Sequence, residues 1–136
     1  MASTVEVLVA TAEREVYRGQ AEFLVAPGAA GELGIMPKHT PLLSQLNAGE
    51  LRVTRGDEVD EVFISGGFME VQPDMITILA DTAERASDFD EASALEALRK
   101  AEELANSKDT EVDYARAASE LAITAARLTF IRKRKK

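Results

Sequence analysis

The chain has 136 residues, of which 46% are apolar, and its formal net charge is −8. This length fits one or two small domains, and the apolar content is enough to bury a core, which excludes global disorder. The absence of cysteine excludes disulfides and thiolate metal sites. No apolar run reaches the length of a membrane span, so direct membrane insertion is not expected, and residues 1–6 lack the features of a signal or transit peptide.

The first part of the chain, residues 1–86, is predicted to form an antiparallel β-sandwich. Short apolar or alternating segments of strand length recur between turn residues. These segments are residues 5–9, 22–25, 50–54, 59–64, 68–72 and 75–79. All eight glycines and all four prolines precede residue 74. Because both residue types interrupt helices, no helix is expected in this part.

One segment of this part, residues 31–43 with the sequence GELGIMPKHTPLL, combines two glycines and two prolines with several apolar residues. This composition predicts a shaped loop whose apolar side chains pack into the core. The apolar residues are Leu33, Ile35, Leu42 and Leu43. His39, the only histidine, lies in the middle of the segment. It could hydrogen-bond the loop backbone or face a partner protein, and the residues alone favour the structural role.

The second part, residues 87–136, is predicted to be a two-helix antiparallel hairpin. Ser87 can cap the first helix, and Asp109 or Thr110 can cap the second after a polar turn. Helical spacing relates Phe89, Ala92, Leu95, Leu98, Ala101 and Ala105 in the first helix, and Tyr114, Ala118, Leu121, Ala125 and Leu128 in the second. Since both seams are largely alanine, the hairpin buries little apolar area and needs a partner surface. High helix propensity would allow it to open without melting.

No constellation of catalytic residues is visible in the sequence. Nucleophilic catalysis needs a nucleophile, a base and an orienting group, and the chain offers a single imidazole and no thiol. The carboxylate pairs at residues 57–58 and 60–61 fall in a predicted polar turn, where solvation is the simpler interpretation. Neither a metal-ligand spacing nor a phosphate-binding P-loop is present. The sequence therefore disfavours a small enzyme.

Positive charge is concentrated at the end of the chain. Residues 1–87 hold 6 basic and 14 acidic residues, whereas residues 127–136 hold six basic residues and no acidic one. Such a tail can be simply solvated. Nucleic acid is not expected as a partner, because the chain as a whole is acidic and aromatics are not interleaved with the basic residues. An acidic protein surface is the better candidate partner, since electrostatic steering would guide the tail to it.

Residues 31–43, followed by the segment Asn47-Ala48-Gly49-Glu50-Leu51-Arg52-Val53, resemble the epsilon subunit of the bacterial F-type ATP synthase. Further similarity lies in residues 65–71 and 112–115, and the likeness extends from about residue 5 to residue 128. The resemblance implies a non-catalytic rotor subunit of the central stalk, peripheral on the cytoplasmic face of the bacterial cell membrane. A plastid or mitochondrial homologue remains an alternative, although the missing transit peptide favours bacteria.

The resemblance also implies partners and contact residues. The sandwich would bind the gamma subunit and the c subunits of the membrane ring, with Glu32 and His39 as rotor-interface candidates. The hairpin would be a regulatory switch that permits turnover when folded and inhibits ATP hydrolysis when extended into the alpha and beta subunits of the catalytic head. The candidates for that inhibitory contact are Arg127, Arg132, Lys133 and Arg134. Whether protons or sodium ions drive the complex is left open.

Some members of this family bind ATP in the folded hairpin, and the chain carries a degenerate form of their motif. Glu84, Asp90 and Arg127 match nucleotide-binding positions. Ser93 and Ile123 stand where the ATP-binding members have arginines, which removes two charge-assisted phosphate donors. We therefore expect weak or absent ATP binding and no cofactor. A stand-alone ATP-sensing module is the alternative function, and nucleotide titration would distinguish the two.

Overall fold

The computed structural model describes residues 3–86, 91–105 and 114–134, without the side chains of residues 104–105, 114–115 and 133–134. The chain forms two compact units, Met1–Ser87 and Asp88–Lys136. The first contains the strands and the second contains the helices, so the predicted fold class, a β-sandwich followed by a helical hairpin, is confirmed.

Ten strands make up the first unit. They are β1 (Val5–Ala10), β2 (Glu15–Ala21), β3 (Phe23–Gly28), β4 (Gly31–Ile35), β5 (Leu42–Leu46), β6 (Gly49–Arg55), β7 (Glu58–Ile64), β8 (Gly67–Val71), β9 (Met75–Ala80) and β10 (Ala83–Arg85). Their order is β10-β7-β6-β3-β5-β8-β9-β1-β2, and β4 pairs with β3. The pairing is antiparallel except between β1 and β9, which are parallel.

The core of the sandwich follows from side-chain alternation along the strands. In β1 the buried residues are Val5, Val7 and Val9, and the residues between them are partly exposed. Ile76 and Ile78 of β9 repeat this pattern. Successive side chains of a strand point to opposite faces, so each of these strands contributes one apolar row to a single core.

The structure corrects the prediction of a shaped loop at residues 31–43. Residues 31–35 form β4, and β5 begins at Leu42, which leaves only residues 36–41 as a connection. Ile35 is buried and Leu33 packs against the core, as expected. Leu42 and Leu43 are instead exposed. Leu43 lies on the face of β5 opposite to the buried Leu46, so strand alternation outweighs residue type at this position. Leu42, the first residue of the strand, lies on the same face as Leu46 but is 37% exposed.

The predicted polar turn at residues 57–61 is also shorter than expected. Only Gly56 and Asp57 form the turn, and β7 begins at Glu58. Asp60 accepts a hydrogen bond from the Tyr17 hydroxyl, with 3.1 Å between the oxygens. This carboxylate is therefore part of the sandwich and not of a solvated loop tip.

The second unit consists of α1 (Glu91–Ala105) and α2 (Tyr114–Arg134). The helices are antiparallel, since Glu91 at the start of α1 lies near Arg132 at the end of α2. Their small shared core contains Ala94, Leu128 and Ile131, with Leu98 packed against it. The predicted caps at residues 87, 109 and 110 lie outside the described residues, as does Phe89.

Candidate docking surface and helical switch

The connection at residues 36–41 is held in place by its backbone. The Lys38 amide donates to the Pro73 carbonyl over 2.9 Å. Lys38 has a φ of 65°, a left-handed conformation that is unfavourable by roughly 1–2 kcal/mol for an L-residue with a side chain. The hydrogen bond to Pro73 helps to hold this conformation, so the segment presents a defined shape at its exposed tip.

His39 makes a hydrogen bond within this segment. Its Nδ1 lies 2.7 Å from the Thr40 carbonyl oxygen. A carbonyl oxygen can only accept, so Nδ1 is the donor. The ring is half-buried. A contact with the loop backbone was the structural alternative for this residue, and the contact leaves the second ring nitrogen, Nε2, for another group.

Glu32, the other rotor-interface candidate, lies on β4 with an exposed side chain. Its Oε2 is 3.2 Å from Nη2 of Arg52, and Nη1 of Arg52 lies 2.9 Å from Oε1 of Glu50. Arg52 is on β6, on the other side of β3. The hydrogen bond that Arg52 donates to Glu50 is the main cause that raises the pKa of Arg52. The three residues form a charged row that holds the Glu32 carboxylate at the sheet surface.

Large apolar side chains are exposed on the outer face of β5, β8 and β9. Leu43 is 71% exposed, Phe68 54% and Leu79 59%, and Met36 in the adjoining connection is 63% exposed. Phe68 and Leu79 face each other across neighbouring strands. We call Leu43, Phe68 and Leu79 the apolar face. Exposed apolar groups that cluster in this way are typical of protein interaction sites.

The apolar face was missed by the sequence predictions, although a signal for it exists. Met69 and Ile78 are fully buried, and the adjacent Phe68 and Leu79 therefore belong to the opposite face of the sheet. When large apolar residues occupy both odd and even positions of a strand, the side chains on one face are buried in the core. Those on the other face are exposed unless a partner protein covers them.

The inhibitory-contact candidates belong to the last turns of α2. Arg132 is exposed, and its Nε lies 3.9 Å from Oε1 of Glu91. Arg127 is half-buried. Lys133 and Arg134 are within the helix, but their side chains lie outside the described residues. Arg132 lies five positions after Arg127, which places the two residues on different sides of the helix.

The nucleotide-binding candidates are distributed over both units. Glu84 lies on β10 opposite Phe63 in the first unit. Arg127 is on α2 in the second unit, and Asp90 lies outside the described residues. Ser93 is exposed on α1, and Ile123 is half-buried on α2. Neither can donate a charged hydrogen bond to a phosphate.

The two helices pack through small side chains and leave a groove between them. Its volume is about 380 Å³, and it is lined by Ala97, Lys100, Ala101, Glu120, Ile123 and Thr124. The seam differs from the predicted stripes. Among the described residues, the buried positions are Ala94 and Ala101 in α1 and Ala117, Leu128, Phe130 and Ile131 in α2, whereas Leu95, Ala118 and Ala125 are exposed.

In the described part of the chain, no group of three or more histidine, cysteine or acidic residues is placed to hold a metal ion. Neither of the helices in that part is long and apolar enough to cross a membrane.

Comparison with known proteins identifies the family. The β-sandwich domain of the ATP synthase Delta/Epsilon chain matches residues 4–86, and the long α-helix domain of the same chain matches residues 87–132. The order of the two matched domains, a β-sandwich followed by a helical domain, is the order of the two units in this chain. Together with the relatives described next, these matches show that the chain belongs to the family of ATP synthase epsilon chains.

Relatives named ATP synthase epsilon chain match nearly the whole sequence. The protein from Nitrosomonas eutropha is 51% identical over 129 residues, which cover 94% of this chain and 92% of the relative. The protein from Nitrosococcus oceani is 47% identical, with 100% and 98% covered. A chain in the cryo-EM structure of the Euglena gracilis mitochondrial ATP synthase shares the fold, with a TM-score of 0.80, 21% identity and coverage of 94% and 81%. The family predicted from residues 31–43 is confirmed.

Proposed function

We propose that this protein is a non-catalytic rotor subunit of a bacterial proton-translocating ATP synthase, which couples ion flow to ATP synthesis and restrains ATP hydrolysis. The observation that carries the proposal is the separation into two units with different surfaces. The sandwich has an ordered connection and an apolar face for permanent attachment. The helical unit has a small apolar interface between its two helices and a basic end, which suit a regulatory role. We assign these roles to residues 1–86 and 87–136.

The sandwich is the proposed attachment module. Related chains occur in structures described as OSCP/F1/c-ring of the Euglena gracilis enzyme and as the central stalk and c-ring of the Tetrahymena thermophila enzyme. We propose the gamma subunit and the c subunits as partners of this protein. The apolar face suits a protein partner that excludes water. Glu32 and His39 suit polar contacts with the c ring, through an exposed carboxylate and an imidazole nitrogen.

The helical unit is the proposed switch. A seam of small residues with an open groove gives the closed pair little packing energy, so alternative states lie close in free energy. In the inhibitory state, Arg127, Arg132, Lys133 and Arg134 would contact the alpha and beta subunits of the catalytic head. The bacterial relatives support a position on the cytoplasmic face of the cell membrane, as a peripheral subunit.

ATP hydrolysis by the assembled complex tests this function. We expect removal of residues 88–136 to increase hydrolysis, because the inhibitory element is lost. Replacement of the four basic residues by alanine should increase it as well. A matched control replaces three exposed basic residues elsewhere in the helical unit, Arg99, Lys100 and Arg116, and should leave hydrolysis unchanged. Unchanged hydrolysis in the truncated complex would contradict the switch.

ATP sensing is the alternative function, and we propose that ATP binding by this chain is weak or absent. Ser93 and Ile123 support this proposal, since they replace the arginines of the ATP-binding motif. Isothermal titration of the isolated protein with ATP measures the affinity directly. Micromolar binding would refute the proposal, and the double variant Ser93→Arg, Ile123→Arg should bind more tightly than the natural sequence.

A further inference from the structure

Tyr17 connects the two ends of the sheet. The end strands of the path are β10 and β2. Tyr17 on β2 is buried, and its hydroxyl donates to Oδ2 of Asp60 on β7 over 3.1 Å. The guanidinium of Arg85, on β10, lies 5.6 Å from the centre of the tyrosine ring. We call Tyr17, Asp60 and Arg85 the clasp, because together they join strands from the two ends of the path.

The local backbone makes room for the clasp. A Cβ atom placed on Gly19 would lie 2.7 Å from the Tyr17 hydroxyl and 3.1 Å from Cζ, so the ring occupies the space that any other side chain on residue 19 would need. Burial, followed by the hydrogen bond and the charge of Asp60, raises the pKa of Tyr17 to about 12. The hydroxyl therefore remains a protonated donor at neutral pH.

β10 depends on such additional contacts because it is short. It has three residues and pairs with β7 at Ala83↔Ile64, Glu84↔Phe63 and Arg85↔Val62. Ala83 is buried, whereas Arg85 is exposed apart from its position over the Tyr17 ring. Arg85 is also the last residue of β10, and the helical unit begins at Asp88. The clasp thus acts on the point where the chain leaves the sandwich.

We propose that the clasp controls the length of chain available between the sandwich and the helical unit. Release of β10 would add its three residues, about 10 Å of extended chain, to that connection. The proposal rests on the switch described above, because it assumes that the helical unit changes position. A longer connection restrains the movement of the helical unit less. Opening the clasp therefore favours the extended, inhibitory state.

Hydrogen exchange of the full-length chain tests the clasp itself. Arg85→Ala removes the cation–π contact, and Arg14→Ala, which replaces another exposed arginine of the sandwich, is the control. We expect amides 83–85 to exchange about two- to fivefold faster in Arg85→Ala, as the loss of one exposed cation–π contact implies, with β8 and β9 unchanged. Equal rates in both variants, or equal acceleration in β8 and β9, would overturn the clasp.

The regulatory consequence is measured in the assembled complex. Arg85→Ala should lower ATP hydrolysis by up to about fivefold relative to Arg14→Ala, in line with the population shift implied by one such contact. If truncation at residue 88 raises hydrolysis while Arg85→Ala matches its control, the switch stands and its control by the clasp is wrong. If truncation has no effect, the switch fails, and hydrogen exchange still decides whether the clasp holds β10.

Discussion

Gly67 is the residue at which the backbone tolerates a side chain least. Its φ is +147°, and a Cβ atom there would lie 2.2 Å from the Leu79 carbonyl oxygen and 2.8 Å from Cα of Ala80. Both are backbone atoms of the paired strand region, so they cannot move aside as a flexible side chain would. We expect Gly67→Ala to lower the free energy of unfolding of the sandwich by roughly 3–5 kcal/mol, from backbone strain and overpacking together.

Gly56 provides the matched control for this prediction. It also has a positive φ, +59°, but no atom lies within 4 Å of an added Cβ. Gly56→Ala should therefore carry the conformational penalty alone, roughly 1–2 kcal/mol. Urea unfolding followed by Tyr17 fluorescence in a Tyr114→Phe background measures both variants. Similar destabilisation by the two substitutions would show that the contact with Leu79 is unimportant.

The raised pKa of Tyr17 gives a second prediction at this scale. The folded value is about 12, compared with an ordinary value of 10.0. Between these values the unfolded chain loses the phenolic proton and the folded chain keeps it, so stability is full below about pH 10 and falls as pH rises towards 12. Ultraviolet titration of tyrosinate in Tyr114→Phe should show a midpoint near 12. Asp60→Asn should lower it, whereas a midpoint near 10 in the Tyr114→Phe protein would contradict the buried hydroxyl.

At single residues, the sequence predicted the family but not the exposure or the long-range contacts of particular side chains. The motif around His39 was sufficient to predict the family, because a long ordered match is specific. It could not assign the exposure of Leu43, since residue type suggests burial and the strand register decides otherwise. The same limit concealed Tyr17, whose partners Asp60 and Arg85 are 43 and 68 residues away.

At the scale of elements, regular apolar segments were predicted well and polar or glycine-containing strands were not. β1, β6, β7, β8 and β9 coincide with predicted strands to within a residue or two. β2 was missed, because Arg18, Gly19 and Gln20 break its apolar alternation. Its position is fixed by the ladder with β1 and by Tyr17, which are long-range contacts that a local pattern does not contain.

The helix pair gives a prediction for an element. Leu128 is buried in the small core with Ala94 and Ile131, whereas Leu95 is exposed on α1. Leu128→Ala should destabilise the helical unit by about 2–3 kcal/mol, because it removes one of the few large side chains in that core. Leu95→Ala should change stability by less than about 0.5 kcal/mol. Hydrogen exchange of α1 and α2, with β9 as internal reference, measures both effects.

A larger destabilisation by Leu95→Ala than by Leu128→Ala would favour the apolar stripe predicted from the sequence over the helix interface seen in the structure. That stripe contained Leu95, Ala118 and Ala125, all of which are exposed in the structure. In α2 the positions 117, 121, 124, 128 and 131, which follow a spacing of three and four residues, are buried or half-buried, and so are the neighbouring positions 123, 126, 127 and 130. Because alanine occurs on several sides of both helices, the sequence allows more than one helix face to form the interface. Side-chain packing determines which face is used.

At the scale of the whole molecule, the two units differ in how they can be stabilised. Among the described residues, the core cluster of the sandwich contains about twenty buried residues, whereas the core cluster of the helices contains three, with one partly buried residue packed against it. Stability of the two units is therefore unequal, and the helical unit is the one that opens at lower free energy. This difference suits the proposed function, in which the sandwich stays attached while the helical unit changes state.

The last prediction concerns the apolar face, which is the proposed attachment surface of the sandwich. Phe68→Ser combined with Leu79→Ser removes two neighbouring apolar groups that are exposed in the isolated chain, so the fold should be retained. If this face binds the gamma subunit, the double variant should bind purified gamma about 5- to 150-fold more weakly, as expected for interface groups that contribute 1–3 kcal/mol.

The control is Val59→Ser, which replaces another exposed apolar residue of the sandwich, on β7. Isothermal titration measures the Kd. Equal affinity of the double variant and the control would exclude the apolar face as the gamma-binding surface, and the charged row of Glu32 and Arg52 would become the stronger candidate.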